Sequence, residues 1–199
     1  MTTFFLIRHA SCDGLGQTLW GRTPGVCLND DGKRQALRLA EACEGLKFDA
    51  IYSSPLQRAW DTAVAIASCM ELRIRESTAL NEIDYGEWSG KTFAELSYDR
   101  RWRYFNSRRS LMTIPGGESF LEVQNRVVNE IKKLAREYDE GRVAMVSHAD
   151  PIRAAVAYFA ATPIDLIDRF EISPCSVTVL AIDDQNVTLL TINDRGVWC

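Results

Sequence analysis

Histidine is nearly absent from this chain: only His9 and His148 occur in 199 residues. Long apolar runs are missing too, and no stretch is long enough to cross a bilayer as a helix. There is no surplus of positive charge. With 23 Lys and Arg against 27 Asp and Glu, the formal net charge is -4, so the chain lacks the electrostatic footprint of a nucleic-acid binder. An anionic ligand must therefore be gripped by a local cluster of basic groups. The six cysteines, at positions 12, 27, 43, 69, 175 and 199, form no C-x-x-C pair and show no metal-ligand spacing, and they read as reduced thiols. The first residues carry no basic segment, and their apolar run stops at Arg8, so no secretory signal is expected and the expected location is cytoplasmic. A hydrophobic fraction of 46% excludes disorder. No repeat or low-complexity linker breaks the chain, and its length suits one domain spanning 1–199 with at most an insertion.

The two histidines stand in matching settings, Leu6-Ile7-Arg8-His9-Ala10 and Met145-Val146-Ser147-His148-Ala149. Each ends a short continuous apolar run, residues 4–7 and 143–146, of the kind that forms a strand buried on both faces. Both imidazoles are then expected at strand C-terminal ends, where open α/β sheets bind their ligands. The competing reading is two unrelated core histidines; the shared strand-end context favours a reacting centre.

Between these points apolar runs alternate with helical periodicity, which predicts a three-layer α/β/α sandwich around a mainly parallel sheet. A Gly-rich loop over 11–27 precedes a helix from about Asp31, with Ala36, Leu39, Ala40 and Cys43 on one stripe and Gly45 at its end. A second strand is expected over 49–52. Ser54-Pro55 is read as N-cap and first-turn proline of a helix carrying Trp60, Ala63 and Ala67, and 72–74 as an outer strand. Pro115-Gly116-Gly117-Glu118-Ser119 leads into a long helix with Phe120, Val123, Val127, Ile131, Leu134 and Tyr138 on one side, its early Glu118 and Glu122 suiting the positive helix end. Asp150-Pro151 is read as the opening of the next helix, with Asp150 as its N-cap. Residues 175–182 and 187–192 are expected to close the fold as a strand pair about the turn at 183–186.

Arg8, at a strand end, needs a partner: either a core carboxylate or an anion suited to its planar fork. Arg58 is expected near the same crevice, and two arginines on one rim imply an anionic ligand. Backbone N–H groups near Ala149, at a helix start, would add donors for phosphate oxygens. For a carboxyl partner the loop at 80–88 offers Glu82, Asp84 and Glu87, which spacing alone does not separate. Residues 98–109 mix Tyr98, Trp102 and Phe105 with five arginines. Helical spacing of the aromatics predicts a helix packed on the domain with its arginines solvated; an anion-gripping lid is the other reading.

Six ordered blocks, LIRHA (6–10), LNDDGKRQA (28–36), YSSPLQRAWDTA (52–63), LNEIDYGEWSG (80–90), PGGES (115–119) and VSHADPIRA (146–154), resemble the histidine phosphatase superfamily, the phosphoglycerate mutase-like fold. The resemblance implies that His9 is the nucleophile that becomes phosphohistidine. It also implies that Arg8, Arg58 and His148 bind phosphate, that Glu82 donates the proton, and that a helical insertion at about 90–114 arches over the site. Where mutases commonly read R-H-G-E-[ST]-x-x-N, this chain has Ala10, Ser11, Cys12 and Leu15, and it lacks the long C-terminal tail expected of a mutase. Hydrolysis of a small phosphate ester is therefore the expectation, ahead of a mutase-type phosphotransfer and of a non-catalytic phosphate-binding module. Gly21 and Arg22 fall where the family closes over its substrate, and Arg22 either meets a second anionic group or is solvated. No cofactor is expected, and two histidines without H-x-x-x-H spacing make a poor zinc site. Neither nucleic acid nor membrane is an expected partner.

Overall fold

The structure is a computed structural model that describes residues 1–196; Cys199, read above as a thiol, lies outside the described residues. Six strands pair into one sheet: β1 (Thr2–Arg8), β2 (Ala50–Ser53), β3 (Ile74–Glu76), β4 (Arg142–Ser147), β5 (Val177–Ile182) and β6 (Val187–Asp194). Their order is β3-β2-β4-β1-β5-β6. The first four run parallel, while β5 is antiparallel to β1 and β6 to β5. The sheet is thus mainly parallel, with a hairpin at one edge.

The period of two along each strand sends neighbours to opposite faces. On one face Phe4, Leu6, Val143 and Met145 meet α5 (Phe120–Glu137) and α6 (Ala149–Phe159). On the other, Ile7, Ile51, Ala144 and Val146 meet α1 (Asp30–Cys43) and α2 (Gln57–Ser68). These are the three layers of an α/β/α sandwich. A third cluster, built on Trp88, Phe105, Ile114 and Phe120, anchors the segment that contributes α3 (Phe93–Leu96) and α4 (Arg100–Ser107).

Several local expectations shift. Helix α2 starts at Gln57 without a side-chain cap, and the Ser54 hydroxyl, though it accepts from the Leu56 N–H at 3.2 Å, serves the histidine site instead. The outer strand begins at Ile74, and β5 at Val177 rather than at Cys175. Ser119 caps α5 in a reciprocal box with Glu122, so Glu118 lies before the helix rather than in its first turn. His148 occupies the N-cap position of α6, so Asp150 lies inside the first turn. Tyr98 is 86% exposed and does not pack, whereas Trp102 and Phe105 do. Arg109 is buried, not solvated. Its guanidinium lies over the Phe105 and Phe120 rings and pairs with Asp168 at 2.7 Å.

Candidate active site

The pairing of β1 with β4 sets the site. Arg8 stands opposite Ser147 in the parallel ladder, so His9 and His148, each the next residue along, leave the sheet side by side. The His9 N–H completes the ladder by donating to the Ser147 carbonyl at 2.9 Å. The ring centroids lie 5.1 Å apart, inclined at 60°. Helix α1 follows β1 onto one face and α6 follows β4 onto the other, and the crevice expected at such a divergence opens here.

Each imidazole is fixed by its surroundings. His9 Nδ1 is 2.7 Å from the Ala10 carbonyl, an acceptor only, so Nδ1 carries the proton and Nε2 presents its lone pair. Arg58 Nε donates to that Nε2 at 3.2 Å. His148 Nε2 is 3.0 Å from Ser54 Oγ, and the Ser54 hydroxyl donates onward to Asn81 Oδ1 at 2.8 Å. The serine oxygen therefore accepts from His148 Nε2–H, leaving Nδ1 bare. Burial, reinforced by Arg58 and Arg8, lowers the His9 pKa well below its ordinary value. Burial and then Arg58, the neighbouring His9 and Arg8 do the same to His148. Both rings are held neutral.

The arginines are oriented by carbonyl groups. Arg8 Nη1 donates to the Ile172 carbonyl at 2.6 Å, and Arg58 Nη2 to the Gly21 carbonyl at 2.8 Å. Gly21 has φ +51°, and a Cβ there would press against the Tyr85 ring at 3.2 Å, which explains the glycine. Thr62 links two parts of the site, donating to the Arg58 carbonyl at 2.8 Å and accepting from the Ala10 N–H at 3.1 Å. After these bonds Arg8 Nε, Arg58 Nη1 and His148 Nδ1 remain buried and unpartnered. Arg8, His9, Arg58 and Glu82 line one cavity of about 260 Å³, with Gly21 and Ala149 also in its wall; His148 lies directly behind, fully buried. Ala149 begins α6, so that helix directs its unsatisfied first N–H groups to the same place.

The Glu82 carboxyl accepts from the Ile83 N–H at 3.0 Å. Burial and the Asp150 charge push its pKa up to about 7, against the opposing pull of Arg58 and Arg8. Among the three carboxylates that spacing left open, Glu82 is the one in the cavity wall; Asp84 and Glu87 are not in it. Asp150 also lines the cavity and accepts from the Tyr85 hydroxyl and from Arg153 Nη1, the latter at 3.3 Å. Arg22 does not line the cavity, and although its side chain is one-third exposed, its guanidinium is engaged within the protein. Its Nε donates to the Glu82 carbonyl at 2.9 Å and its Nη2 to Glu118 at 2.8 Å.

Sequence reasoning missed Ser54 and Asn81, which anchor His148, and Thr62, which joins Ala10 to Arg58. It also missed Phe93 and Asn106 at the cavity wall, to which Trp102 and Arg109 of the 98–109 segment contribute as well. Only Ser54 carried a signal, and a serine before a proline reads first as a cap. Among the described residues no group of three or more His, Cys, Asp or Glu side chains is disposed to hold a metal ion, and no helix is long and apolar enough to cross a membrane.

Residues 4–195 match the profile of the histidine phosphatase superfamily, branch 1. The chain is 29% identical to phosphoserine phosphatase 1 of Hydrogenobacter thermophilus, over 97% of its own length and 92% of that protein's. Its fold superposes on Bacillus stearothermophilus YhfR with a TM-score of 0.91 at 26% identity, covering 98% of both chains. It superposes on a histidine-to-alanine mutant of the Entamoeba histolytica phosphoserine phosphatase, solved with phosphoserine, with a TM-score of 0.87, also at 26% identity and 98% coverage of both chains.

Proposed function

The chain belongs to the histidine phosphatase superfamily, and on that premise we propose that it hydrolyses phosphomonoesters of small metabolites through a phosphohistidine formed on His9. What supports this assignment is one convergence. His9, Arg8 and Arg58 line one cavity with Arg8 Nε and Arg58 Nη1 unpartnered, and His148, its Nδ1 also unpartnered, stands behind them with its ring 5.1 Å from that of His9; these groups suit the oxygens of a tetrahedral oxyanion.

In the first step the Nε2 lone pair attacks phosphorus in line and the ester P–O bond breaks. The electron pair of that bond goes to the leaving oxygen, which takes the Glu82 carboxyl proton. The Ala10 carbonyl stabilises the positive charge that develops on the ring. Arg58 Nε, which donates to Nε2, turns to a phosphoryl oxygen. Neutralising those oxygens is the larger part of the catalysis of phosphoryl transfer. His148 Nδ1 becomes a donor once it takes a proton, which a bound dianion favours. In the second step the Glu82 carboxylate removes a proton from water, the water oxygen bonds to phosphorus, and the P–N pair returns to Nε2. Glu82 serves both halves because a pKa of about 7 lets it give and take a proton near neutrality.

Two measurements test this. A broad panel of phosphate esters should yield inorganic phosphate with the wild type and none with His9→Ala. A radiolabelled ester should leave an acid-labile, base-stable phosphoenzyme that His9→Ala abolishes. Wild-type enzyme that releases phosphate from no ester, or labelling that survives in His9→Ala, overturns the proposal.

A further inference from the structure

We propose that Glu118, together with Arg22 and Arg126, is a positioning clamp for the acid-bearing loop at 79–84, holding the Glu82 backbone so that its carboxyl meets the leaving oxygen. The inference rests on the proton-donor reading of Glu82 given above. Two guanidinium groups from distant parts of the chain converge on one acceptor. Arg22 Nε donates to the Glu82 carbonyl at 2.9 Å, and Arg126 Nη2, from α5, donates to the same oxygen at 3.2 Å. Arg126 Nη1 also holds the Ala79 carbonyl at 2.7 Å.

Glu118 ties both arginines together. It accepts from Arg22 Nη2 at 2.8 Å, from Arg126 Nε at 3.1 Å and Nη2 at 3.1 Å, and from the Asp84 N–H at 3.0 Å. Its own N–H donates to the Asp84 carbonyl at 3.0 Å. The loop is therefore fastened at residues 79, 82 and 84, and Gly117 lets the backbones close up, since a Cβ there would sit 2.1 Å from the Asp84 carbonyl oxygen.

Charge and location separate this group from substrate. Arg22 and Arg126 are matched by Glu118 and by Asp84, 3.8 Å from Arg22 Nη1, so the cluster neutralises itself. None of the three lines the cavity. They act through Glu82, whose carboxyl, among the described residues, is tethered only to the adjacent Ile83 N–H and so follows its backbone. A shift of about 1 Å in a reacting group costs on the order of 10²-fold in rate.

The test compares kcat/KM on an alkyl ester, such as glycerol 2-phosphate, with that on 2,4-dinitrophenyl phosphate, whose leaving group departs without a proton. Glu118→Gln should lose on the order of 10²-fold on the alkyl ester and less than about threefold on the aryl ester. Added to Glu82→Gln it should cause little further loss, because the acid it positions is already gone. Equal losses on both esters, no loss on either, or full additivity with Glu82→Gln overturns the clamp. Arg22→Gln, at a one-third exposed side chain, carries the same comparison if Glu118→Gln does not fold. If Glu82→Gln itself shows no preference for the aryl ester, the proton-donor reading fails and the clamp's role falls with it. If Glu82→Gln shows the preference and Glu118→Gln does not, the clamp alone is overturned.

Discussion

Replacing Glu82 by glutamine should stabilise the protein at alkaline pH while crippling it as a catalyst. The carboxyl rises from 4.5 to about 7, chiefly through burial and then through Asp150. Below pH 4.5 it is neutral in the folded and the unfolded chain alike. Between 4.5 and 7 the unfolded chain releases the proton while the folded chain keeps it, so stability falls as pH rises through this window. At about 1.4 kcal/mol per pH unit, the full loss by pH 8 is about 3 kcal/mol. Glutamine keeps the site neutral throughout and escapes that loss. For a domain of this size, roughly 2–4 °C of Tm accompanies each kcal/mol, so Glu82→Gln should melt up to roughly 6–12 °C above wild type at pH 8 and only slightly above it at pH 5. His9 and His148, whose lowered pKa values withdraw stability as pH falls below 6.5, contribute equally to both proteins and cancel in the difference. Differential scanning calorimetry at the two pH values decides the matter: a Tm difference that does not change with pH would refute the account of Glu82 as a carboxyl held protonated by its surroundings.

Asp150→Asn removes the charge that helps to raise Glu82, so the basic limb of the kcat profile should move to lower pH. A limb that stays in place would separate Asp150 from the acid. Ser54→Ala deletes the acceptor of His148 Nε2–H and leaves a buried donor unpaired, which should cost about 1–3 kcal/mol of folding stability, read by urea unfolding; an unchanged stability would show that the ring needs no such anchor. Gly117→Ala drives a Cβ to 2.1 Å from the Asp84 carbonyl oxygen and should destabilise by about 1–3 kcal/mol. Urea unfolding measures this, and wild-type stability would mean that the loop relaxes freely.

The parts of this site legible in the sequence are those fixed by periodicity. Two apolar runs ending in histidine imply two strand ends, and pairing those strands brings the rings together without knowledge of any other contact. Arg8 follows from the need of charge at a strand end for a partner and Arg58 from the helix start after β2, but the carbonyl groups that orient them do not. What stayed hidden depends on packing between segments far apart in the chain. Ser54 and Asn81 acquire their role only where β2 and the loop at 79–84 meet the start of α6. An Asp-Pro step at a helix start suggests Asp150 as a cap, whereas His148 holds the cap position and Asp150 is engaged by Tyr85 and Arg153. Arg109 looked solvated in an arginine-rich stretch, yet its position over two phenyl rings beside Asp168 emerges only once α4 is folded down. For Arg22 the sequence leaves a second anion and solvent open, because no periodicity links it to Glu118, 96 positions later.

The parallel seam joining Arg8 to Ser147 makes the spacing of the two reacting rings a property of the main chain rather than of flexible side chains. Sliding one strand past the other by a single position would carry one ring along by about 3.3 Å and turn alternate side chains to the opposite layer. A misaligned sheet would therefore be catalytically silent, and turnover measured during refolding would count only molecules whose central seam has closed in register.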